Sequence, residues 1–318
     1  MENLLENLAF SINGIAPVFL MIFIGVLLKR FNIINDNFVS VSSNIVFKMA
    51  LPALVFNSIA STDFMEVFNP KMIIFMLTGT LAMTGIIYYI TTRAIKERHS
   101  RGAFVQGVFR SNYAIIGMPL ILNLFGQTGF AKSAIAFSFV LPLYNILAVV
   151  VLAASAPETE GAGLKGLFKQ IITNPLIIAV IIAVPFSLAK ITIPTVIQNT
   201  IDYATDLSVP LALLGIGGQF NFSRMKSNIR MSATASVLKV IVIPLVFSIL
   251  AVLLGFRGDE LGSIFMLFAS PTAVSSFVMA KSMHNDSNLA ADIIMLTTIG
   301  SIFSIFTGIT VLRALSLI

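Results

Sequence analysis

The chain has 318 residues, of which 57% are hydrophobic and only 11% charged, whereas about a quarter of the residues in ordinary soluble domains are charged. This composition indicates an integral membrane protein, and we expect a single membrane domain over residues 1–318 because no loop-like stretch is long enough to form a soluble domain. The absence of cysteine excludes disulfides, thiolate metal sites and cysteine nucleophiles.

The first half of the chain contains five apolar segments that are long enough to cross a bilayer. Residues 1–7 include two acidic residues and no basic one, unlike the start of a signal peptide, so we expect the first span to remain. Together the spans predict a five-helix unit over residues 12–154. The predicted spans are 12–28, 38–60, 72–92, 102–125 and 131–154.

The second half repeats this organisation after a linker at residues 155–170. The linker contains Pro157, three glycines and mixed charge, which is typical of a connecting segment. Five further spans predict a second five-helix unit over residues 171–312. These spans are 174–189, 194–220, 229–254, 261–283 and 289–312.

Basic residues are distributed unequally between the two sides of the predicted bundle. The positive-inside rule makes the richer side cytoplasmic, so we expect a multi-pass protein of the cytoplasmic membrane with both termini outside. Lipid phosphate is then the expected partner of the net charge of +6, and no nucleic acid is required. Twelve basic residues follow odd-numbered spans (Lys29, Arg30, Arg93, Lys96, Arg98, Arg101, Lys165, Lys169, Arg224, Lys226, Arg230, Lys281) and five lie opposite (Lys71, Lys132, Lys190, Arg257, Arg313).

Internal similarity between the two halves is weak but ordered. A shift of 158 residues places Pro52 on Pro210 and Lys48 on Asp206, and a shift of 160 places Ser111-Asn112 on Pro271-Thr272. Because each half has an odd number of spans, such halves would be inverted repeats. Spans four and nine would then be symmetry mates, and we expect them to be broken helices that cross near Asn112 and Pro271.

Span four carries residues that weaken or polarise a membrane helix, namely Arg110, Ser111, Asn112, Gly117 and Pro119. One interpretation is a proline-kinked packing helix. The other is a helix that unwinds at a substrate site, since unwound backbone at membrane depth is tolerated where it lines a cavity or is buried in protein. Half-helix N-termini that point into such a cavity favour a carboxylate, so the second interpretation predicts an organic-anion substrate.

The predicted substrate-binding residues come from both sides of this crossing and from span two. We expect the crossover to bend at Gly117, Pro119 and Pro271, with Arg110 at a cytoplasmic vestibule. The residues predicted to bind substrate are Ser111, Asn112, Pro271, Thr272, Ser275 and Lys48.

Charged residues within the spans are costly and are therefore functional candidates. Lys48 and Asp206 either form a structural ion pair, or Lys48 binds the anion while Asp206 accepts a proton. Asp202 lies one helical turn from Asp206 and is a second coupling candidate. Lys239 and Asp292 are interpreted as more peripheral packing or snorkelling groups.

Four stretches together give the chain a resemblance to a known family. They are residues 50–56 in span two, Ser111-Asn112 through residues 117–120 in span four, Asn174-Pro175 at the start of span six, and Asp206 through residues 210–213 in span seven. In this order they resemble the auxin efflux carrier family, which contains plant auxin exporters and bacterial malonate and malate permeases.

The resemblance implies an all-α integral membrane fold of ten transmembrane helices. These would form two inverted five-helix repeats with crossed broken helices four and nine, as in sodium/proton antiporters and bile-acid transporters. It further implies a scaffold domain, through which a homodimer can form, and a transport domain. The short central linker resembles that of the bacterial members, whereas the plant pattern at the first crossover has Pro-Asn where this chain has Ser111-Asn112.

Three classes of function remain at this point, namely a secondary carrier, an anion channel and a membrane enzyme. The favoured one is a secondary transporter that moves mono- or dicarboxylates, auxin-like or malonate-like, by alternating access. The alternatives are a gated anion channel, or a Na⁺- or H⁺-coupled carrier for another organic anion. A membrane enzyme is least favoured because the sequence lacks a metal-ligand cluster and a nucleophile motif, so we expect no catalytic residues, metal or cofactor.

Overall fold

A computed structural model describes residues 2–155, 172–219 and 229–318, with side chains from residue 6 onward. The linker predicted at residues 155–170 and the end of span seven therefore lie largely outside the described residues. The first described part contains α1 (Glu2–Arg30), α2 (Asp36–Ile45), π1 (Val46–Ala50), α3 (Leu51–Ala60), α4 (Phe64–Val67), α5 (Pro70–Ala94), α6 (Arg98–Phe109), π2 (Tyr113–Gly117) and α7 (Met118–Ser155).

The remaining described residues are also helical. The middle part contains α8 (Pro175–Leu188), α9 (Thr195–Asp206) and α10 (Ser208–Gly218). The last part contains α11 (Ile229–Val237), π3 (Leu238–Val242), α12 (Ile243–Leu253), α13 (Gly258–Ala269), α14 (Ser275–Ser282) and α15 (Ser287–Ala314).

Six described helices are long and apolar enough to cross a membrane. They span Glu6–Arg30, Asp36–Ala60, Phe64–Ala94, Tyr113–Ser155, Ile229–Leu253 and Ser287–Ala314. The chain is therefore a multi-pass, all-helical membrane protein over the residues that the structure describes. Predicted spans six, seven and nine correspond to shorter helices, and the count of ten spans stays a prediction.

Helix α7 has 38 residues, which at 1.5 Å per residue is roughly twice the thickness of the hydrocarbon core. Gly126 divides it into two arms, since its backbone has φ 67° and ψ −165°. This left-handed conformation is accessible to glycine because it lacks a Cβ atom. The division falls between predicted spans four and five.

The three π-turns share a relation to proline. Each π-turn ends two residues before a proline: Pro52 follows π1, Pro119 follows π2 and Pro244 follows π3. In each turn the backbone bond reaches back five residues, as when Met118 donates to the carbonyl of Tyr113. A proline ring inside an α-helix clashes with the carbonyl four residues earlier, and the wider turn relieves that crowding.

Most of the described helices fall into two groups, within which the helices pack extensively against one another. The α1 group consists of α1, π1 and the helices α2, α3, α8, α9 and α10, and the α15 group of α5–α7 and α11–α15 with π2 and π3. Within the α1 group, α1 and α10 approach backbone to backbone, because a Cβ atom on Gly217 would lie 2.1 Å from the carbonyl oxygen of Ile22. Small residues allow such close approach between membrane helices.

The two groups are joined by hydrogen bonds at the end of the molecule where α1 begins, here called the Ser11 end. The Thr310 hydroxyl donates to the Ser11 hydroxyl at 2.9 Å, and the Ser58 hydroxyl donates to Gln127 Oε1 at 2.6 Å. A weaker contact at 3.4 Å joins Asn123 to the carbonyl of Gly14. The opposite end, where α1 finishes near Lys29, is here called the Lys29 end.

Candidate functional site

Two helices of the α15 group are interrupted within the bundle and meet at their interruptions. Helix α6 ends at Phe109 and the chain resumes helical turns at Tyr113, while α13 ends at Ala269 and α14 begins at Ser275. Ser111 and Thr272 pair as an antiparallel β-bridge. The backbone at this bridge is therefore not helical, and it is extended at Arg110.

Backbone hydrogen bonds across the crossing satisfy groups that the broken helices leave free. The Asn112 N–H donates to the carbonyl of Pro271 at 2.7 Å, and the Ala273 N–H donates to the carbonyl of Arg110 at 3.0 Å. Pro271 disfavours the helical conformation at Ser270, which explains the second break. The first break forms although residues 110–112 contain no proline.

Thr272 and Ser111 contribute side-chain bonds to the crossing. The Thr272 hydroxyl donates to the carbonyl of Gly107 at 2.5 Å, and its N–H donates to the Thr297 hydroxyl at 3.1 Å. The Ser111 hydroxyl makes a long contact of 3.5 Å with the carbonyl of Ser270. Thr272 therefore ties α6, α15 and the second break together.

Asn112 differs from its neighbours because its side chain has no hydrogen-bond partner among the described residues, although only 6% of the residue is exposed. The free amide does not cap the helical turn that follows it. It lies instead in the wall of a cavity. A buried amide without a partner is costly unless another molecule completes its hydrogen bonds.

The cavity has a volume of about 480 Å³ and extends between the two helix groups from Asn112 to the Lys29 end. Asn112 and Val274, the residues before the second halves of the broken helices, both lie in its wall. Helix N-termini carry partial positive charge, so these positions favour an anion. The wall consists of Lys29, Asp36, Val39, Asn112, Ile216, Gly218, Gln219, Val274, Phe277, Ala291, Asp292, Ile294, Met295 and Thr298.

The other five residues predicted to bind substrate lie outside this wall. Ser111, Pro271 and Thr272 are buried in the crossing itself, while Ser275 is exposed beside it. Lys48 in π1 is exposed and does not contribute to the wall. The structure thus brings Asn112, but not the whole predicted set, to the cavity.

The two predicted coupling carboxylates also lie away from the cavity wall. Asp206 is exposed, and the ion pairs among the described residues include neither it nor Lys48. The Asp202 carboxylate accepts hydrogen bonds from Asn57 at 3.1 Å and from Gln198 at 2.9 Å. Asp202 is therefore held in an amide cluster within the α1 group.

Arg110 and the hinge residues are buried in the α15 group. The Arg110 guanidinium donates to Asn145 Oδ1 at 2.8 Å and contacts the sulfur of Met279 at 3.1 Å. Gly117 ends π2, and Pro119 is buried two residues later in α7. The predicted vestibule position of Arg110 stays untested, since its described contacts are with protein groups.

One sequence interpretation is narrowed and another requires correction. Of the two roles expected for Lys239, packing agrees with the structure and snorkelling does not, because its ammonium group is fully buried and has no hydrogen-bond partner among the described residues. Asp292 was expected to be peripheral, yet it is 4% exposed and lines the cavity. Lys29, which sequence analysis used only as a topology signal, also lines the cavity.

Comparison with known proteins agrees with this architecture. Residues 10–308 match the model of a family described as membrane transport protein. An uncharacterized transporter of Methanothermobacter thermautotrophicus is 24% identical over 93% of this chain and 96% of its own length. An uncharacterized transporter of Methanocaldococcus jannaschii is 24% identical over 91% of this chain and 94% of its own.

A third relative carries a substrate in its name. It is a putative malonate transporter of Rhizobium meliloti, 23% identical over 93% of this chain and 93% of its own length. Since the family model covers nearly the whole chain, the protein belongs to the membrane transport protein family, also called the auxin efflux carrier family, and is a transporter.

Proposed function

We propose that the protein is a secondary transporter that carries small organic anions, mono- or dicarboxylates, across the cytoplasmic membrane by alternating access. The observation that carries this proposal is the unpartnered amide of Asn112 in the wall of a cavity between two helix groups. The name of the Rhizobium meliloti relative supports a dicarboxylate such as malonate as the first substrate to test.

The site offers three kinds of group to a carboxylate. The Asn112 amide can donate two hydrogen bonds. The positive ends of the two half-helices that begin near Asn112 and Val274 lie at the same wall. Lys29 also lines the cavity, and its ammonium, which lies 2.6 Å from Asp36 Oδ1, would leave that ion pair to meet an anion. Substrate would enter past Lys29 and stop at Asn112.

Alternating access would require the cavity to close at one end and open at the other. In the described state the groups are bonded at the Ser11 end, while the cavity reaches the Lys29 end. The excess of basic residues makes the Lys29 end cytoplasmic. We therefore assign this state as inward-open, within a fold of ten spans in two inverted repeats with both termini outside.

The proposal is tested with purified protein in liposomes that are loaded with unlabelled malonate. We expect saturable uptake of labelled malonate by counterflow, with other mono- and dicarboxylates as competitors. Asn112→Ala should abolish this exchange, because it removes the amide but little packing volume. The matched control is Asn44→Ala, which removes an exposed amide that bonds within its own helix.

Two outcomes would count against the proposal. Anion flux that neither saturates nor shows counterflow would identify a gated channel. Full exchange by a folded Asn112→Ala variant would mean that the substrate binds elsewhere. Monodisperse elution and an unchanged melting temperature establish that the variant is folded.

A further inference from the structure

Asp292 is a carboxylate within the anion cavity. It lies near the beginning of α15, is 4% exposed and shares the cavity wall with Asn112. Among the described residues, its side chain has neither a hydrogen-bond donor nor an ion-pair partner. Its oxygens open to the cavity, so a donor or a cation has to come from what the cavity holds, because an isolated charge in so narrow a space is unfavourable.

Other incompletely exposed carboxylates in the described part of the chain have such partners. Asp259 pairs with Lys132 at 2.8 Å, and Asp202 accepts from two amides. Asp286, at the start of the same helix as Asp292, accepts from the Leu289 N–H at 2.9 Å and from the Ser100 hydroxyl at 3.0 Å. Asp292 therefore lacks the cation or the hydrogen-bond donors that stabilise the charge of these acids.

The groups around Asp292 supply neither a hydrogen-bond donor nor a cation. The nearby wall includes apolar Val274, Phe277 and Met295, and the Thr298 hydroxyl already donates to the carbonyl of Ile294 at 2.6 Å. Lys29 lines the same cavity, but its ammonium contacts Asp36. An anionic substrate bound at Asn112 would add a second negative charge to one small cavity.

We propose that Asp292 binds a monovalent cation, a proton or Na⁺, which travels with the organic anion. The cation neutralises the carboxylate so that the anion can occupy the cavity beside it. This inference rests on the proposed carrier function. It assigns coupling to Asp292, in place of the Asp206 and Asp202 that the sequence suggested.

Other charged groups on α15 and on the helices that pack against it define the background of any pH response. On α15 and its N-cap these are Asp286 and Arg313. On the packed elements and the segments that adjoin them they are Glu6, Lys29, Arg30, Arg98, His99, Arg101, Arg110, Lys132, Arg230, Lys239, Asp259, Glu260, Lys281 and His284. A pH effect is assigned to Asp292 only if it disappears in the variant that lacks this carboxylate.

The test separates coupling from transport in the same liposomes. Counterflow at equal pH and equal Na⁺ on both sides measures substrate exchange, which tests the carrier itself. Imposed pH gradients at constant Na⁺, and Na⁺ gradients at constant pH, then measure accumulation. We expect one gradient to drive the wild type to accumulate labelled substrate severalfold above equilibrium, and its identity distinguishes a proton from Na⁺.

Three variants complete the experiment. Asp292→Asn should retain exchange but lose gradient-driven accumulation, because the neutral amide imitates the cation-loaded state. Asp292→Glu should keep coupling with altered cation dependence. Glu66→Gln, which removes an exposed carboxylate on α4, should behave as the wild type.

Several outcomes would overturn the proposal about Asp292. These are exchange by the wild type with no response to either gradient, full accumulation by Asp292→Asn, or loss of exchange in Asp292→Asn, which would make the residue a substrate or folding group. Absence of carboxylate exchange in the wild type would instead contradict the proposed function itself.

Discussion

The contacts between the α1 group and the α15 group differ at the two ends of the molecule. At the Ser11 end, the hydroxyls of Ser11 and Ser58 bond across the boundary, and the Arg313 guanidinium stacks on Phe10 at 3.9 Å from the ring centroid. At the Lys29 end, the same boundary is a cavity, and Asp292 faces it without a partner. Side chains thus bond across the boundary where the two groups touch, whereas Asn112 and Asp292 line a cavity where the groups separate.

This difference matters because a carrier needs two states of similar free energy. A few side-chain hydrogen bonds and one cation–π contact, each contributing about 0.5–1.5 kcal/mol, form a closure that can be broken. The opposite end would need a comparable set of contacts in the other state.

Chemical labelling should distinguish the two ends most strongly. The chain has no cysteine, so single-cysteine variants report one position each. Ala291→Cys, in the cavity wall, should react with a water-soluble maleimide more than about tenfold faster than Leu124→Cys, because a side chain packed at the Ser11 end reacts only when the structure opens. Equal rates in detergent solution would contradict the described closure.

The ion pair between Lys132 and Asp259 should stabilise the Ser11 end of the α15 group. The two side chains are only 17% and 24% exposed, so Lys132→Met leaves a partly buried carboxylate unpaired and should cost about 1–3 kcal/mol of unfolding free energy. Thermal unfolding of Lys132→Met, Asp259→Asn and the double variant measures this loss of stability and the coupling between the two charges. If the double variant is no more stable than the sum of the single effects predicts, the two charges are not coupled.

Ser58→Ala should weaken the closure between the groups. It removes the hydroxyl that donates to Gln127, a loss of about 1 kcal/mol, which corresponds to roughly a fivefold change in the population of the open end. The labelling rate of Leu124→Cys should rise by that factor in the Ser58→Ala background. Ser61→Ala is the control because the Ser61 hydroxyl bonds within its own helix, to Asn57.

Lys48 and Asp206 should show the smallest effect. Both are exposed, and the described ion pairs do not join them. Lys48→Met and Asp206→Asn should therefore have additive effects on melting temperature, since groups that share no contact are not energetically coupled. If the double variant is distinctly more stable than the single effects predict, the interpretation of Lys48 and Asp206 as a structural ion pair is supported instead.

Residues 110–112 and Pro271 predict two helix interruptions, and both are present in the structure, whereas their role as crossed helices of an inverted repeat stays a prediction. Pro271 restricts the residue before it, and small or polar residues such as Ser111 and Asn112 stand out within an apolar span. Pro271 accounts for the second break, whereas the first break has no proline and is joined to the second by the Asn112 N–H, which donates to the carbonyl of Pro271. Asn112, which the sequence predicts to bind substrate, lies in the cavity wall, and substrate binding by it stays a prediction.

The remainder of the site depends on packing between distant helices, which residue spacing does not encode. Lys29 closes α1 and looks like a topology signal, while Asp292 lies near the start of a helix, where a charge is often solvated. The similarity shift that aligned Lys48 with Asp206 carried no information about their depth or separation. Both turned out to be exposed.

The three π-turns have a consequence for how this chain tolerates changes in length. Removing one residue from an ordinary membrane helix rotates everything beyond it by about 100° and turns the wrong faces toward lipid. A π-turn already holds one residue more than an α-helical turn, so a one-residue deletion there leaves the faces on both sides aligned. Single-residue gaps between this protein and its relatives in these three spans therefore belong at residues 46–50, 113–117 and 238–242.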